Sequence, residues 1–445
     1  MNVSILQRLE TAGFSAYIVG GRLRNMLLGL EEDPENPWDT DVTTNALPEQ
    51  VKDVFSDCRV LETGIRHGTV TVLTPEPVEI TTFRKDGAYS DSRHPDSVDF
   101  SATLEEDLAR RDFTVNAIAM DARGNIEDPF GGREDLNNHI LRTVGDPEER
   151  FREDPLRIFR ALRFMAALTT PDGERALYAD SKTEAALFTC APLLEKIAPE
   201  RLCSEFYKLI TGDFAGDVIR EYVDIIGVVI PPLLAMKDFN QHNPYHKYTV
   251  LEHCIRAMEA VDKDRVMKLA ALFHDVGKPE TFFIGDDGIG HMYGHPQAGE
   301  RIFRSIMTRL KADRATTDQA AALIKHHDLV FHRDRALLKR WMNRFTPELL
   351  LRILTLKEAD NLATGNMSPE LGDKFREIRS MILEILSEGE CFSLKDLAID
   401  GNDVIAAGIE AGPAVGEVLS RLLSLVTEGR IENTREALLS AISRS

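Results

Sequence analysis

Two aspartates separated by one threonine, in the segment Trp38-Asp39-Thr40-Asp41-Val42, are the first residues whose types and spacing point to chemistry. In an extended segment, residues two apart share a face. Asp39 and Asp41 then present two carboxylates side by side. Like charges that close are costly unless a cation neutralises them, and Mg2+ is the hard cation that takes such oxygens together with substrate phosphates. Glu79, on a later alternating segment, is a third candidate ligand. Upstream, Gly20-Gly21 follows an apolar run and precedes Arg24. Without Cβ atoms, the backbone N–H groups of such a turn can approach a phosphate. Singly, each feature also has a plain explanation: a structural glycine turn, and an acidic loop facing water.

The combination is more specific. After Gly20-Gly21-x-x-Arg24 and Asp39-x-Asp41 come Arg110-Arg111-Asp112-Phe113-Thr114-Val115-Asn116-Ala117, then Asp128-Pro129-Phe130-Gly131-Gly132, then Glu153-Asp154-Pro155-Leu156-Arg157-Ile158-Phe159-Arg160. In this order and spacing the sequence resembles the class II CCA-adding tRNA nucleotidyltransferases and their relatives, the bacterial poly(A) polymerases. The resemblance covers residues 15–210 and extends more loosely to Leu397–Gly401 and Gly412–Gly416. Asn25 stands where that family often has Asp after the arginine of the glycine turn.

The resemblance implies that Asp39 and Asp41 hold two Mg2+ ions. These activate a tRNA 3′-hydroxyl and stabilise departing pyrophosphate during transfer from CTP or ATP. It implies nucleotide contacts from Gly20, Gly21, Arg24, Arg111, Asp112, Asn116, Asp154, Arg157 and Arg160, and a pivoting role for Asp128. Asp154 and Arg157, three apart on an expected helix, would share a face. Ionised Asp only accepts hydrogen bonds and Arg only donates. Cytosine and adenine both offer an amino donor beside a ring-nitrogen acceptor, whereas uracil and guanine offer a carbonyl beside an N–H. The pair would then select C and A without a nucleic-acid template. An ordinary surface ion pair is the alternative.

A second set lies further along: His253, then His274-Asp275 inside Leu272-Phe273-His274-Asp275-Val276-Gly277-Lys278, then His295, His326-His327 and Asp360. This order resembles the HD metal-dependent phosphohydrolases. The resemblance implies that His253, His274, Asp275 and Asp360 hold a divalent metal, with His295 and His326 or His327 as further ligands. Imidazole and carboxylate suit several divalent metals without selecting one. Substrates would be 2′,3′-cyclic phosphates, 2′-nucleotides or similar phosphoesters; retention of the fold for RNA docking is the alternative.

These residues need elements to hold them. Ser4–Ala12 reads as a helix, Ser15–Val19 as a buried strand, and Arg22–Leu28 as a short helix ended by Gly29. Residues 68–73 and 78–83 alternate as strands, and 114–120 is either strand or helix. From Glu148 the apolar spacing becomes helical, with windows at 200–211, 215–226, 249–261, 265–275, 297–310, 316–326, 335–343, 347–362, 369–388 and 414–427. Turn clusters fall at 285–290 and 396–402. The expected fold is an α/β (α+β) head of polymerase-beta type with a small mixed sheet, followed by an all-α remainder with an HD-type domain. The expected division is a catalytic head at 1–140, a base-recognising neck at 141–212, a helical body at 213–385 and a tRNA-binding tail at 386–445.

Composition bounds the partners. The 445 residues carry 53 Lys and Arg against 73 Asp and Glu, a net charge of −20, which excludes a uniformly basic coat but not a local basic groove. The arginine-rich segments 150–163 and 333–344, the latter with Trp341, are candidate tRNA contacts; DNA is not expected. The five cysteines are scattered and never form CxxC, which suits the cytoplasm rather than a disulfide framework. The most apolar stretch, 222–236, is interrupted by Asp224 and two prolines, so no membrane span is expected. The expected activity is CCA addition to tRNA. Its rivals are poly(A), CC-only or A-only addition by the same head, or an HD phosphohydrolase with a vestigial head.

Overall fold

The structure, a computed structural model, describes residues 3–443 apart from 33–37, 88–96, 101, 243–246, 287 and 366. The chain divides into two compact units, residues 1–234 with 309–311, and residues 235–308 with 312–445. The boundary falls inside the stretch 213–385.

The first unit is built on a mixed sheet. Its strands are β1 (Ala16–Val19), β2 (Thr40–Thr44), β3 (Arg59–Leu61), β4 (Thr69–Leu73), β5 (Val78–Thr82), β6 (Ala119–Met120) and β7 (Ile126–Glu127), in the order β3-β4-β5-β2-β1-β6-β7. Ile18, Val42, Val70, Val72 and Ile80 are buried on the sheet. Their period-2 spacing pins the register, because a one-residue slip would turn them outward. The register places Asp41 opposite Val19 on one side and beside Glu79 on the other.

The glycine pair is not a turn before a helix but the first turn of the helix Gly20–Leu27. That helix ends before Gly29, which takes the left-handed φ of +74°. Residues 114–120 split into a tight turn at Thr114–Asn116 and the short β6. Asn116 is drawn away from the ladder by side-chain bonds to Arg24 and Asp112. Past residue 140, helices at Pro147–Glu153, Leu156–Ala167, Ser181–Cys190, Pro199–Ile210 and Ala215–Val229 complete the unit, and Leu156–Ala167 packs on Pro199–Ile210.

The second unit is helical, and each expected window from 249 to 427 is occupied by a helix. It is not wholly α: the turn at 285–290 is the tip of a hairpin formed by β8 (Phe283–Ile284) and β9 (Gly290–His291). Among the described residues no helix is long and apolar enough to cross a membrane.

Candidate functional site

In the first unit, a cavity of about 540 Å3 gathers Gly20, Gly21, Arg24, Asp39, Asp41, Arg111, Asp112, Asn116, Asp154, Arg157 and Arg160. Every residue expected to contact nucleotide or Mg2+ meets there except Glu79, which does not line it, and Asp128 lies outside it as well. Arg110, Arg163 and Phe164 line it as well. Arg163 stands out in the sequence only as part of the arginine-rich segment 150–163.

Asp41 sits on β2 and Asp39 just before it, and Arg22 braces that entry through Thr40 Oγ1 at 2.8 Å and the Trp38 carbonyl at 3.1 Å. Gly20 has a φ of +75°, and a Cβ there would lie 2.7 Å from Asp41 Oδ2. Glycine is therefore required both by conformation and by the approach of the carboxylate. Burial pushes the Asp41 carboxyl up to about 6, and the charges of Glu79 and Asp39 add to this against the pull of Arg111. An all-oxygen set of neighbouring carboxylates fits a hard divalent cation. A proton competes for Asp41 below about pH 6. Mg2+ affinity at this cavity is thus expected to be flat at neutral pH and to fall by up to about tenfold per pH unit below pH 6. Calorimetric Mg2+ titrations across that range check it; an unchanged affinity at about pH 5 would contradict it.

The cationic wall is equally ordered. Arg24 donates to Asn116 Oδ1 at 2.8 Å and to Asn25 Oδ1 at 2.9 and 3.2 Å, so Asn25 supplies the bond without a charge. Burial lowers the Arg24 pKa to about 10, and Arg163 and Arg160 add to the effect. Asp112 accepts from Arg160 at 2.6 and 2.8 Å and from Asn116 at 3.0 Å. Burial alone would raise its carboxyl, but Arg160 holds it well below the usual range. Arg24, Arg160 and Arg163 all lie within 5.4 Å of the Phe164 ring centroid. A triphosphate is the ligand class that such a cluster suits.

Asp154 and Arg157 line the cavity together, but not as a helical i, i+3 pair. Pro155 disfavours helical backbone in the residue before it. Asp154 is accordingly extended, with φ −141° and ψ 97°, between helices Pro147–Glu153 and Leu156–Ala167. Its Oδ1 accepts from the Leu156 N–H at 3.1 Å and its Oδ2 from Arg201 at 2.8 Å. Arg157 donates instead to Glu153 Oε2 at 2.7 Å and to the carbonyls of Arg150 and Arg110, both at 3.1 Å. Arg201, 47 residues away, gave no sequence signal. Asp128 accepts from the N–H groups of Gly132 and Arg133 at 2.7 and 2.9 Å, at the start of the helix Gly132–Asn137.

In the second unit, His253, His274, Asp275 and Asp360 converge from different helices and their ends. His253 Nε2 lies 3.2 Å from His274 Nε2 and 2.9 Å from Asp360 Oδ1. His295 and His327 Nε2 lie 3.3 and 3.5 Å from Asp275 Oδ1. Two ligand groups result, His253–His274–Asp275 and Asp275–His295–His327, sharing Asp275. His274, His295 and His327 each set Nδ1 at 2.7–2.9 Å from a backbone carbonyl. That bond fixes the proton on Nδ1 and leaves the Nε2 lone pair facing the cluster. The Nε2 atoms of His295 and His327 lie 3.2 Å apart; two lone pairs that close repel unless a cation or proton lies between them, so the donor set fits a divalent metal. His326 is excluded: its ring packs on Phe345 at 4.7 Å while its neighbour turns inward. Lys278, 2.6 Å from Asp275, and Lys357, 3.0 Å from Asp360, stand beside the ligands, and Asp328 borders the same cavity of about 450 Å3.

The arginine-rich segments are not open basic faces. Arg150, Arg157, Arg160 and Arg163 pair with Glu153, Asp112 and Glu205. Arg333 pairs with Glu377, Arg335 with Glu384, Glu388 and Glu390, and Arg340 with Glu428. Trp341 packs on Phe331. In a chain with so many more acids than bases, nearby carboxylates capture these guanidiniums.

Comparison with known proteins places these features. The Poly A polymerase head domain family matches residues 16–142, the probable RNA and SrmB-binding site of polymerase A matches 179–225, and the putative tRNA nucleotidyltransferase domain 2 matches 297–442. The CCA-adding enzyme of Ligilactobacillus salivarius is 44% identical over 98% of this chain and 94% of its own length. That of Lactobacillus helveticus is 35% identical over the same shares. The crystal structure of the Bacillus stearothermophilus CCA-adding enzyme in complex with CTP has a TM-score of 0.70 at 31% identity, covering 99% of this chain and 96% of that one. The Thermotoga maritima CCA-adding enzyme complexed with tRNA shares the fold at 20% identity, with a TM-score of 0.57, covering 99% of this chain and 94% of that one.

Proposed function

The chain belongs to the CCA-adding enzyme family, and from that membership we infer that it adds C, C and A to the 3′ end of tRNA, using CTP and ATP. The observation that carries the reading is the single cavity lined by both Asp39/Asp41 and Asp154/Arg157. The poly(A), partial-addition and vestigial-head alternatives are not favoured by relatives that are CCA-adding enzymes over nearly their whole length. Incubation with a tRNA transcript lacking CCA tests it. CTP alone should add two residues, ATP alone none, and both together CCA. A long A tail, or arrest after CC with both nucleotides present, would replace this reading.

Mg2+ held by Asp39 and Asp41, beside Glu79, would supply activation of the 3′-hydroxyl and stabilisation of pyrophosphate. The protein's own part is positioning. The helix N-terminus at Gly20-Gly21 and the cluster Arg24, Arg111 and Arg160 bind the triphosphate, with Asn116 holding Arg24, Asp112 holding Arg160 and Asp107 beside Arg111 at 3.5 Å. The new bond joins the 3′-oxygen to the α-phosphorus, the bond to the β-phosphoryl oxygen breaks, and pyrophosphate leaves. Asp154 has one bond on each oxygen and keeps lone pairs for the base amino group. Arg157 has three of its five N–H groups committed, leaving two for the base acceptors. We assign head and neck to 1–140 and 141–212, and body and tRNA-binding tail to 213–385 and 386–445. The five free cysteines suit the reducing cytoplasm, where we place the enzyme.

For the second unit we propose an HD-type phosphohydrolase centre on His253, His274, Asp275, His295, His327 and Asp360. A divalent metal there would supply activated water. Burial alone would lower the Lys278 and Lys357 pKa values, but Asp275 and Asp360 raise them, so both ammoniums stay charged to hold an anionic ester. Replacing His274 and Asp275 together by alanine is expected to abolish metal-dependent phosphodiester hydrolysis while CCA addition stays within about twofold. Simultaneous loss of both activities in a folded variant would argue against two separate sites.

A further inference from the structure

Beside the second cavity stands a shelf of aromatic rings that the phosphoester reading leaves unused. Phe283 and His291 are cross-strand partners of the hairpin β8–β9, and Tyr293 follows two residues later. The His291 and Tyr293 rings stack, 5.4 Å apart at 20°, and Phe283 lies 5.4 and 5.7 Å from the two. Tyr293 is 74% exposed and Phe283 46%. His291 and Tyr293 line the cavity that holds Asp275 and Lys278. Two of the three rings thus keep much of their surface in water and offer open faces on which a planar ring can stack.

The shelf is registered to the ligand cluster by a chain of short contacts. Asp275 meets Lys278 at 2.6 Å, and Lys278 donates to Gln241 Oε1 at 2.7 Å. The Gln241 backbone lies so close to the hairpin that a Cβ on Gly290 would sit 2.2 Å from its carbonyl oxygen. The Gly290 N–H also donates to the His242 carbonyl at 2.9 Å. A ligand held at the cluster by its phosphoryl group therefore meets the rings at a fixed separation. The cavity volume of about 450 Å3 falls in the small-ligand range.

We propose that Phe283 and Tyr293 stack the base of a nucleoside phosphate whose phosphoryl group sits at the Asp275 cluster. This second cavity then prefers base-bearing phosphoesters to aliphatic ones. The inference rests on the phosphoester reading of that centre. Stacking one base on an aromatic side chain is worth about 10–100-fold in affinity.

The test is a calorimetric titration of the Mn2+-loaded full-length protein with adenosine 3′-phosphate and with glycerol 2-phosphate. Asp154→Ala and Arg157→Ala are present throughout to remove base recognition from the first cavity. The adenosine ester is expected to bind about 10–100-fold more tightly. Adding Phe283→Ala with Tyr293→Ala should bring the two esters to equal affinity at unchanged metal content, whereas Tyr293→Phe should keep the preference. Equal affinities before the aromatic substitutions, or a preference that survives them, would overturn the inference and leave the centre's reading intact. If neither ester binds in a manner that Asp275→Ala removes, the phosphoester reading fails and the inference with it.

Discussion

Alanine at Asp39 or Asp41 is expected to lower nucleotide addition by about 10³-fold or more, with tRNA binding retained. Neither carboxylate is a structural necessity. Asp39 is exposed, and Asp41 carries a pKa pushed up to about 6, above its ordinary 3.8. A carboxyl whose pKa is raised by folding costs stability progressively as pH rises from 3.8 to about 6 and in full above that, so its removal does not weaken the fold through a lost ion pair at neutral pH. Both losses fall on cation binding. A metal clamp on attacking and leaving oxygens supplies several kcal/mol of transition-state stabilisation, and each 1.36 kcal/mol is a factor of ten. Removing an acid from a wall rich in arginine makes the surface more favourable to RNA phosphates. Single-turnover addition measured beside filter binding of the same tRNA separates the two effects. Addition near the wild-type rate would remove the assignment of these residues, and parallel loss of tRNA binding would make them structural.

Exchanging the hydrogen-bonding senses of Asp154 and Arg157 is expected to move selection from C and A toward U and G, by roughly 10²–10⁴-fold in the ratio of kcat/KM values. Two buried mismatches at about 1–3 kcal/mol each set that range. The surroundings sharpen the design. An arginine at position 154 would face Arg201, and an aspartate at 157 would face Glu153 and the carbonyls of Arg150 and Arg110. Asp154→Arg with Arg157→Asp alone should thus also lower the total rate, because like groups meet at both positions. Adding Arg201→Glu and Glu153→Arg restores an opposite charge to each and should recover rate while keeping the new preference. Competition among the four nucleoside triphosphates on a CCA-less tRNA reads the ratio directly. An unchanged preference for CTP and ATP in a folded variant would end the idea that side chains act as the template.

Local rules made much of this readable in advance. Asp39 and Asp41 share a face because a strand repeats every two residues, and Gly20 is glycine because the backbone is left-handed against Asp41 Oδ2. Pro155 carried the break that separates Asp154 from the following helix, although the helical spacing of its neighbours hid it. His326 and His327 were indistinguishable in sequence. One is the last residue of the helix Arg314–His326 and the other its C-cap, and the backbone direction at that terminus sends only the second toward Asp275. Asp154's partner Arg201 and the carboxylates that neutralise Arg333–Arg340 depend on which helices pack together, and no period along the chain encodes that.

By itself, the sequence marked the candidate residues: two acids at strand spacing, a glycine pair after an apolar run, an acceptor and a donor around a proline, and histidines and aspartates in a set order. It also determined the helices and strands that carry them, because hydrophobic period and turn chemistry act over a few residues. The tertiary structure alone decided which charged groups are committed to each other and which remain available to a ligand. Hydrogen bonds and ion pairs are made at about 3 Å, and only the folded backbone brings side chains 47 or 107 positions apart within that reach.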